Sequence, residues 1–129
     1  MTKIKTNIKP FLVVENGIKA VDFYIHAFGA IESKRYSLEN NKISSVITID
    51  GAEFYLSDEE PCDGSQTAGQ SNTTAPIRII LETQNADKIF EDALQYGATE
   101  ICPITTEEDW RIGKLKDPFG HIWEIGFPL

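Results

Sequence analysis

An internal repeat is the feature that most constrains the fold of this chain. The first half contains VENGIKAVDFYIHAFGAIES and the second contains TQNADKIFEDALQYGATEI, which align with Asn16 opposite Asn85. In each copy a strand-like stretch ends at the asparagine, a helical pattern follows, and a glycine, Gly29 or Gly97, comes after it. Asparagine is favoured at the start of a helix and glycine just beyond its end. The chain is therefore predicted to contain the same structural unit twice.

Each predicted helix carries apolar residues at intervals of three or four positions, the spacing that places them on one face. Such a face packs against a sheet. We predict that this face comprises Ile18, Val21, Ile25 and Phe28 in the first helix and Ala86, Phe90, Ala93 and Leu94 in the second.

Short β-rich segments follow each helix: ISSVITID and AEFYLSD in the first half, WRIGKLKD and HIWEIGF in the second. The segment RYSLENNKIS predicts a hairpin around Asn40 and Asn41. We predict an α+β fold of two βαβββ modules, at about residues 7–58 and 76–129 of a single domain spanning 1–129. Side by side, the modules form a curved mixed sheet with both helices on one face and a cup on the other.

The segment 59–75 connects the two modules and is rich in Gly, Ser, Thr and Gln, a composition typical of flexible connections. It is long for a connection without secondary structure, and long loops often act as lids or contact partners. Two interpretations therefore stand side by side, a functional lid or partner contact and a disordered tether.

The composition excludes several classes of function. The hydrophobic fraction is 41%, the charged fraction is 25% and the formal net charge is −8, so nucleic acid is not an expected partner. No segment approaches the roughly 20 apolar residues of a membrane helix, and the N-terminus lacks the pattern of a signal peptide. Cys62 and Cys102 belong to no zinc motif, and we interpret them as buried or partly buried free thiols in a reducing cytoplasm, with a disulfide or a reactive thiol as the alternative.

Two stretches, FLVVENGIKAVDFYIHAFGA and KLKDPFGHIWEIGF, resemble the vicinal oxygen chelate superfamily, which has the glyoxalase/bleomycin-resistance/dioxygenase fold. The resemblance covers nearly the whole chain. It implies an active-site cup and, in many members, a dimer. Members include metal-dependent lyases, isomerases and ring-cleaving dioxygenases, and also antibiotic-sequestering proteins that carry no metal. We therefore expect a homodimer, but the fold leaves the function open.

The last strand contains His121 and Glu124, three positions apart. Side chains alternate between the two faces of a strand, so these two residues point to opposite sides and cannot share a metal ion. Trp123, Ile125 and Phe127 share the face of His121 and are predicted to form the core beneath the helices. We interpret His121 as a hydrogen-bonded residue of the turn and place Glu124 in the cup.

The repeat identifies the positions equivalent to Glu124. Counting four places from Gly51 gives Tyr55, and counting back from the two asparagines gives Lys9 and Arg78 on the first strand of each half. In metal-using members of the superfamily these four positions typically hold His or Glu. Only Glu124 suits a divalent ion here, so we predict no metal site and no cofactor. His26 falls with Lys19 and Asp22 on a polar helix face.

We predict that the cup binds a small organic molecule. Arg78 would clamp a carboxylate or phosphate, Tyr55 would donate a hydrogen bond and Glu124 would orient an amine or hydroxyl. Trp110 would stack on a flat ligand at the rim or, alternatively, belong to the core or to a dimer interface. Phe11 and Val13 would form an apolar wall beside Lys9. These charged residues also fit an internal salt-bridge set that closes the cup. No catalytic residue is assigned, and two rivals remain: a metal-dependent lyase, isomerase or dioxygenase with atypical ligands, and a protein-interaction module with a filled cup.

Overall fold

The computed structural model of the chain describes residues 6–59 and 77–129. Cys62 and the predicted connecting segment, apart from its first residue, lie outside the described residues. Module one consists of β1 (Phe11–Val14), α1 (Gly17–Phe28), β2 (Ile31–Ser37), β3 (Ile43–Ile49) and β4 (Ala52–Asp58). Module two consists of β5 (Ile79–Glu82), α2 (Ala86–Gln95), β6 (Thr99–Thr106), β7 (Trp110–Lys116) and β8 (Ile122–Pro128).

The α+β class and the two βαβββ modules are confirmed. Each module forms a four-stranded mixed sheet, with the strand orders β1-β4-β3-β2 and β5-β8-β7-β6. In both sheets the first strand pairs in parallel with the last, and the remaining pairs are antiparallel. The predicted hairpin between β2 and β3 is present, and Asn40 and Asn41 adopt the positive φ angles of 60° and 62° that its turn requires. The described strand pairs thus give one sheet to each module.

The two helices begin in different ways. The side chain of Asn16 accepts a hydrogen bond of 3.1 Å from the backbone N–H of Lys19, so the predicted cap of α1 is confirmed. Asn85 makes no such bond, and its own N–H donates to Thr83 Oγ1 at 3.1 Å. Asn85 therefore stands at the N-cap position of α2, as predicted, but its side chain does not cap the helix.

Val21 and Phe28 of the predicted stripe are buried, but the buried face of α1 differs from the stripe at other positions. Ile18 is 42% exposed, whereas Tyr24 is fully buried. The face is rotated because Tyr24 can enter the core once its hydroxyl has a buried partner. Within the described ranges, neither helix has the length and apolar composition needed to cross a membrane. The residues of α1 that are buried are Gly17, Ala20, Val21, Phe23, Tyr24, Ala27 and Phe28.

One aromatic core lies between the modules. Trp123 of β8 is buried, as the alternation along that strand predicted. Its ring lies 4.8 Å from the ring centre of Phe28 in α1 and 5.7 Å from that of Phe54 in β4. These edge-to-face contacts join residues of both modules. The helix-facing sides of the two sheets therefore share a single core.

A buried carboxylate, Asp117, also joins the modules. Asp117 is 1% exposed. It accepts hydrogen bonds from Tyr24 Oη at 2.5 Å, Trp123 Nε1 at 2.9 Å and the backbone N–H groups of Phe119 and His121 at 2.9 and 3.0 Å. A charge can stay buried only when such donors replace its water. The network fixes α1 of module one against the final strand of module two.

Replacing Tyr24 tests this network. We expect Tyr24→Phe to lower the free energy of unfolding by about 1.5–3 kcal/mol at neutral pH, because a buried charge loses a donor. Burial, and then the charge of Asp117, raise the pKa of the Tyr24 phenol well above its ordinary value. A raised native pKa stabilises the fold fully below the ordinary value of about 10, and this contribution falls as the pH rises further. The difference in the free energy of unfolding between the native protein and Tyr24→Phe should therefore become smaller at alkaline pH. Urea denaturation at neutral and alkaline pH measures this difference.

Tyr96→Phe is the matched control. Tyr96 is 52% exposed, and no hydrogen bond of its hydroxyl occurs among the described residues. Its replacement should change the free energy of unfolding by less than about 0.5 kcal/mol. Equal stabilities of the native protein and Tyr24→Phe would show that the Asp117 network does not join the modules energetically.

Candidate functional site

The sheet faces opposite the shared core carry the predicted cup residues. In β1 and β4, Leu12 and Leu56 are buried in the core. Phe11 and Tyr55, each one position away, are 56% exposed and half-buried, respectively. The two residues are paired across the parallel strands, and their ring centres lie 6.1 Å apart. Phe11, one of the two residues of the predicted apolar wall, therefore lies beside Tyr55.

The module-one group consists of Lys9, Glu53 and Tyr55. Lys9 Nζ forms an ion pair with Glu53 Oε1 and donates to Tyr55 Oη at 3.4 Å. The ammonium also lies 5.4 Å from the centre of the Tyr55 ring, within the range of a cation–π contact. The hydrogen bond to Glu53 raises the pKa of the Lys9 ammonium. Lys9 therefore stays protonated at neutral pH and offers a fixed positive charge.

The module-two group consists of Arg78, Lys114 and Glu124. Glu124 Oε1 lies 3.1 Å from Arg78 Nε and 3.7 Å from Lys114 Nζ. Lys114 and Glu124 face each other across the β7–β8 pair. The side chain of Glu124 is 17% exposed and that of Arg78 is 53% exposed, so the guanidinium is open to solvent while the carboxylate is largely covered. This group presents two cations around one acid.

The two groups do not contact each other within one chain. Among the described residues, no hydrogen bond or ion pair links the module-one group to the module-two group. Both lie on sheet faces that point away from the shared core. Lys9 and Arg78 were predicted on the first strand of each half, but they precede β1 and β5, which begin at Phe11 and Ile79. Each module therefore carries half of the predicted constellation.

Trp110 opens β7 and is half-buried. It pairs with Pro128, four places along the strand from the pair formed by Lys114 and Glu124. Alternation puts Trp110 on the same face as Lys114, at a distance of roughly 13 Å along the strand. The structure thus places Trp110 at the end of this face and away from the ion pairs.

The residues present do not fit the divalent ion that many superfamily members use. No group of three or more His, Cys, Asp and Glu side chains suited to a metal ion occurs in residues 6–59 and 77–129. Glu53 and Glu124 are each paired with a cation, which would repel a metal ion at such short range. A catalytic site of the open kind needs about three protein ligands.

Neither histidine contributes to the cup. His121 Nε2 donates to the backbone oxygen of Val13 at 2.9 Å, which links the turn before β8 to β1. The prediction of a hydrogen-bonded turn histidine is confirmed. His26 lies on the exposed face of α1, as predicted, with its Nδ1 2.7 Å from the oxygen of Asp22.

Cys102, on β6, is a free thiol, but it is exposed, so the prediction that it is at least partly buried is wrong.

Two charged residues of the site were missed by sequence reasoning. Glu53 lies two places before Tyr55, and the same alternation that identified Tyr55 puts Glu53 on its face. Lys114 is found only from the register of β7 against β8, which the sequence does not show. With Glu53 and Lys114 included, each of the charged residues that the sequence predicted takes part in an ion pair.

Comparison with known proteins places the chain in a family. The family described as Glyoxalase/Bleomycin resistance protein/Dioxygenase superfamily matches residues 8–125. An uncharacterized protein of Mycobacterium tuberculosis is 34% identical over 131 residues, which cover 98% of this chain and 76% of the relative. An uncharacterized protein of Arabidopsis thaliana is 30% identical over 129 residues, which cover 92% and 76% of the two chains.

Solved structures show the same fold. TioX from Micromonospora sp. ML1 superposes with a TM-score of 0.74 at 19% identity, covering 97% of this chain and 100% of TioX. The Arabidopsis thaliana gene product gives a TM-score of 0.71 at 30% identity, covering 95% of this chain and 99% of the gene product. The fosfomycin resistance protein FosX from Listeria monocytogenes, complexed with Mn(II) and sulfate, gives 0.65 at 16% identity, with 97% and 93% covered.

Proposed function

The chain belongs to the Glyoxalase/Bleomycin resistance protein/Dioxygenase superfamily, and we propose that it binds a small organic anion in its cup without a metal ion. The observation that carries this proposal is the charge of the site. The two groups together hold three cations, Lys9, Arg78 and Lys114, and two carboxylates, Glu53 and Glu124. The site thus has a net charge of +1 within a chain of net charge −8. A local excess of cations favours an anionic ligand.

The individual residues suit such a ligand. Arg78 presents a planar set of donors that matches a carboxylate or phosphate, and its exposure leaves that set accessible. The Tyr55 hydroxyl and the Lys9 ammonium offer further donors from module one. Phe11 supplies an apolar surface for the body of the ligand. Binding or sequestration of the ligand requires no catalytic residue, and we assign none.

A second copy of the chain would complete the cup, which is why we propose a homodimer. β1 and β5 are edge strands, since each is hydrogen-bonded to only one neighbour among the described strands. Beside them, Phe11 and Ile80 are 56% and 57% exposed. Unpaired edges flanked by apolar side chains favour pairing with another chain. Such pairing would bring the module-one group of one copy close to the module-two group of its partner.

The role of Arg78 can be tested with benzoate and benzamide, which share a shape and differ in charge. We expect Arg78→Ala to weaken benzoate binding roughly three- to tenfold, because an exposed charge-assisted contact is lost. Benzamide binding should change by less than about twofold, since it carries no charge for the guanidinium. Isothermal titration calorimetry measures both affinities.

Lys88→Ala is the control for a general change of charge. Lys88 is paired with Asp92 on the surface of α2, away from the cup residues. Its removal changes the net charge as Arg78→Ala does and should leave benzoate binding unaltered. An equal loss of affinity for benzoate and benzamide in Arg78→Ala would refute the electrostatic role of Arg78.

Metal analysis separates the proposal from the enzyme alternative. Protein purified without chelators should contain far less than one divalent ion per chain when measured by inductively coupled plasma mass spectrometry. The reason is that Glu53 and Glu124 are already paired with cations. One tightly held ion per chain that disappears in Glu124→Ala would instead overturn the metal-free proposal and favour the alternative, a metal-dependent lyase, isomerase or dioxygenase with atypical ligands.

The dimer is tested by analytical ultracentrifugation. We expect the native protein to sediment as a dimer and Ile80→Asp to weaken self-association roughly tenfold or more, because a charge would enter the apolar interface. Ile31→Asp is the matched control, since Ile31 is 66% exposed on β2, at the other edge of the first sheet. If the native protein is a monomer and still binds benzoate, the proposal that a second copy completes the cup is wrong, while the proposal of anion binding stands.

A further inference from the structure

A second cleft lies outside the cup, between α1, the residue after α2 and the turn before β8. It has a volume of about 650 Å³, which lies within the range of small-molecule sites. We call it the helix-side cleft and define it by Phe23, His26, Tyr96 and Phe119, with Lys19 and Asp22 at its rim. It contains no residue of the module-one or module-two group. A ligand of the helix-side cleft would therefore contact neither group.

The walls of the helix-side cleft are aromatic. Phe23 is buried at the base, and its ring lies 6.1 Å from that of Phe119 in an edge-to-face arrangement. The ring of Tyr96 is 5.7 Å from the imidazole of His26, and Tyr96 is 52% exposed. Flat rings prefer offset or edge contacts with such surfaces. The shape and lining of the cleft therefore suit an aromatic ligand.

His26 gives the cleft a hydrogen-bond acceptor. Its Nδ1 lies 2.7 Å from the backbone oxygen of Asp22. A carbonyl oxygen only accepts, so Nδ1 carries the hydrogen and Nε2 of the neutral imidazole is left with its lone pair. Nε2 has no hydrogen-bond partner within residues 6–59 and 77–129, and His26 is exposed. A ligand that satisfies this nitrogen must bring its own donor.

The charges at the rim cancel. Lys19 and Asp22 lie three positions apart on α1, so an ammonium and a carboxylate flank the same opening. The rim thus favours neither anions nor cations, in contrast to the cup. We propose that the helix-side cleft is a second binding site, for a neutral aromatic molecule that carries a hydroxyl or ring N–H donor, such as a phenol or an indole.

Phenol and anisole test this proposal, because they share a ring and differ in the donor. Nuclear magnetic resonance titration follows the binding of both probes at the backbone amides. We expect phenol to shift the amide signals of α1, Tyr96 and Phe119 and to bind roughly three- to tenfold more tightly than anisole. His26→Phe keeps an aromatic ring and removes the acceptor, so the affinity for phenol should fall to the affinity for anisole.

A pair of tyrosine variants completes the test. Tyr96→Ala should weaken the binding of both phenol and anisole, because it removes one wall of the cleft. Tyr36→Ala removes a similarly exposed ring from β2 and should leave both unchanged. The proposal is overturned if phenol and anisole bind equally to the native protein, if His26→Phe retains the preference for phenol, or if the shifts map to β1, β4 and β8 instead.

Discussion

The structure depends on the burial of one carboxylate. Asp117 sits in an apolar core, where an unpaired charge would be too costly to keep, and its donors come from both halves of the chain. Its own turn supplies two backbone N–H groups. Tyr24 of module one supplies the hydroxyl that module two cannot provide. The modules are therefore joined by the need to satisfy this group as well as by contact between aromatic rings.

Much of the fold was predictable from the sequence because the repeat shows the same pattern of helix and strands in both halves of the chain. The helix ends at Asn16 and Gly29, the β2–β3 hairpin and the burial of Trp123 in β8 all follow from local patterns. The burial of Tyr24 in α1 was not predictable in the same way. Tyr24 enters the core only because Asp117, 93 residues later, accepts its hydrogen bond. Local spacing carries no signal for a partner at that distance in sequence.

The candidate site shows the same division. Alternation and the repeat were sufficient to bring Tyr55 and Glu124 to the faces opposite the core. The ion-pair partner Lys114 depends on strand register, and the separation of the site into two groups depends on how the modules pack. Neither the strand register nor the packing of the modules can be inferred from the sequence of a single strand. Sequence reasoning therefore located single positions on these sheet faces but not the charged neighbours that pair with them.

The ion pairs have a consequence for selectivity. In the proposed binding mode, an anion that reaches Arg78 meets a guanidinium whose Nε already faces the carboxylate of Glu124, although the Arg78 side chain is 53% exposed. A simple inorganic anion would approach that carboxylate and lose part of its own hydration, so it would gain little. In the proposed dimer, an organic anion would also contact Phe11 of the second copy, which adds an apolar contact. The acidic residues of the two groups would then favour organic anions over simple inorganic ones.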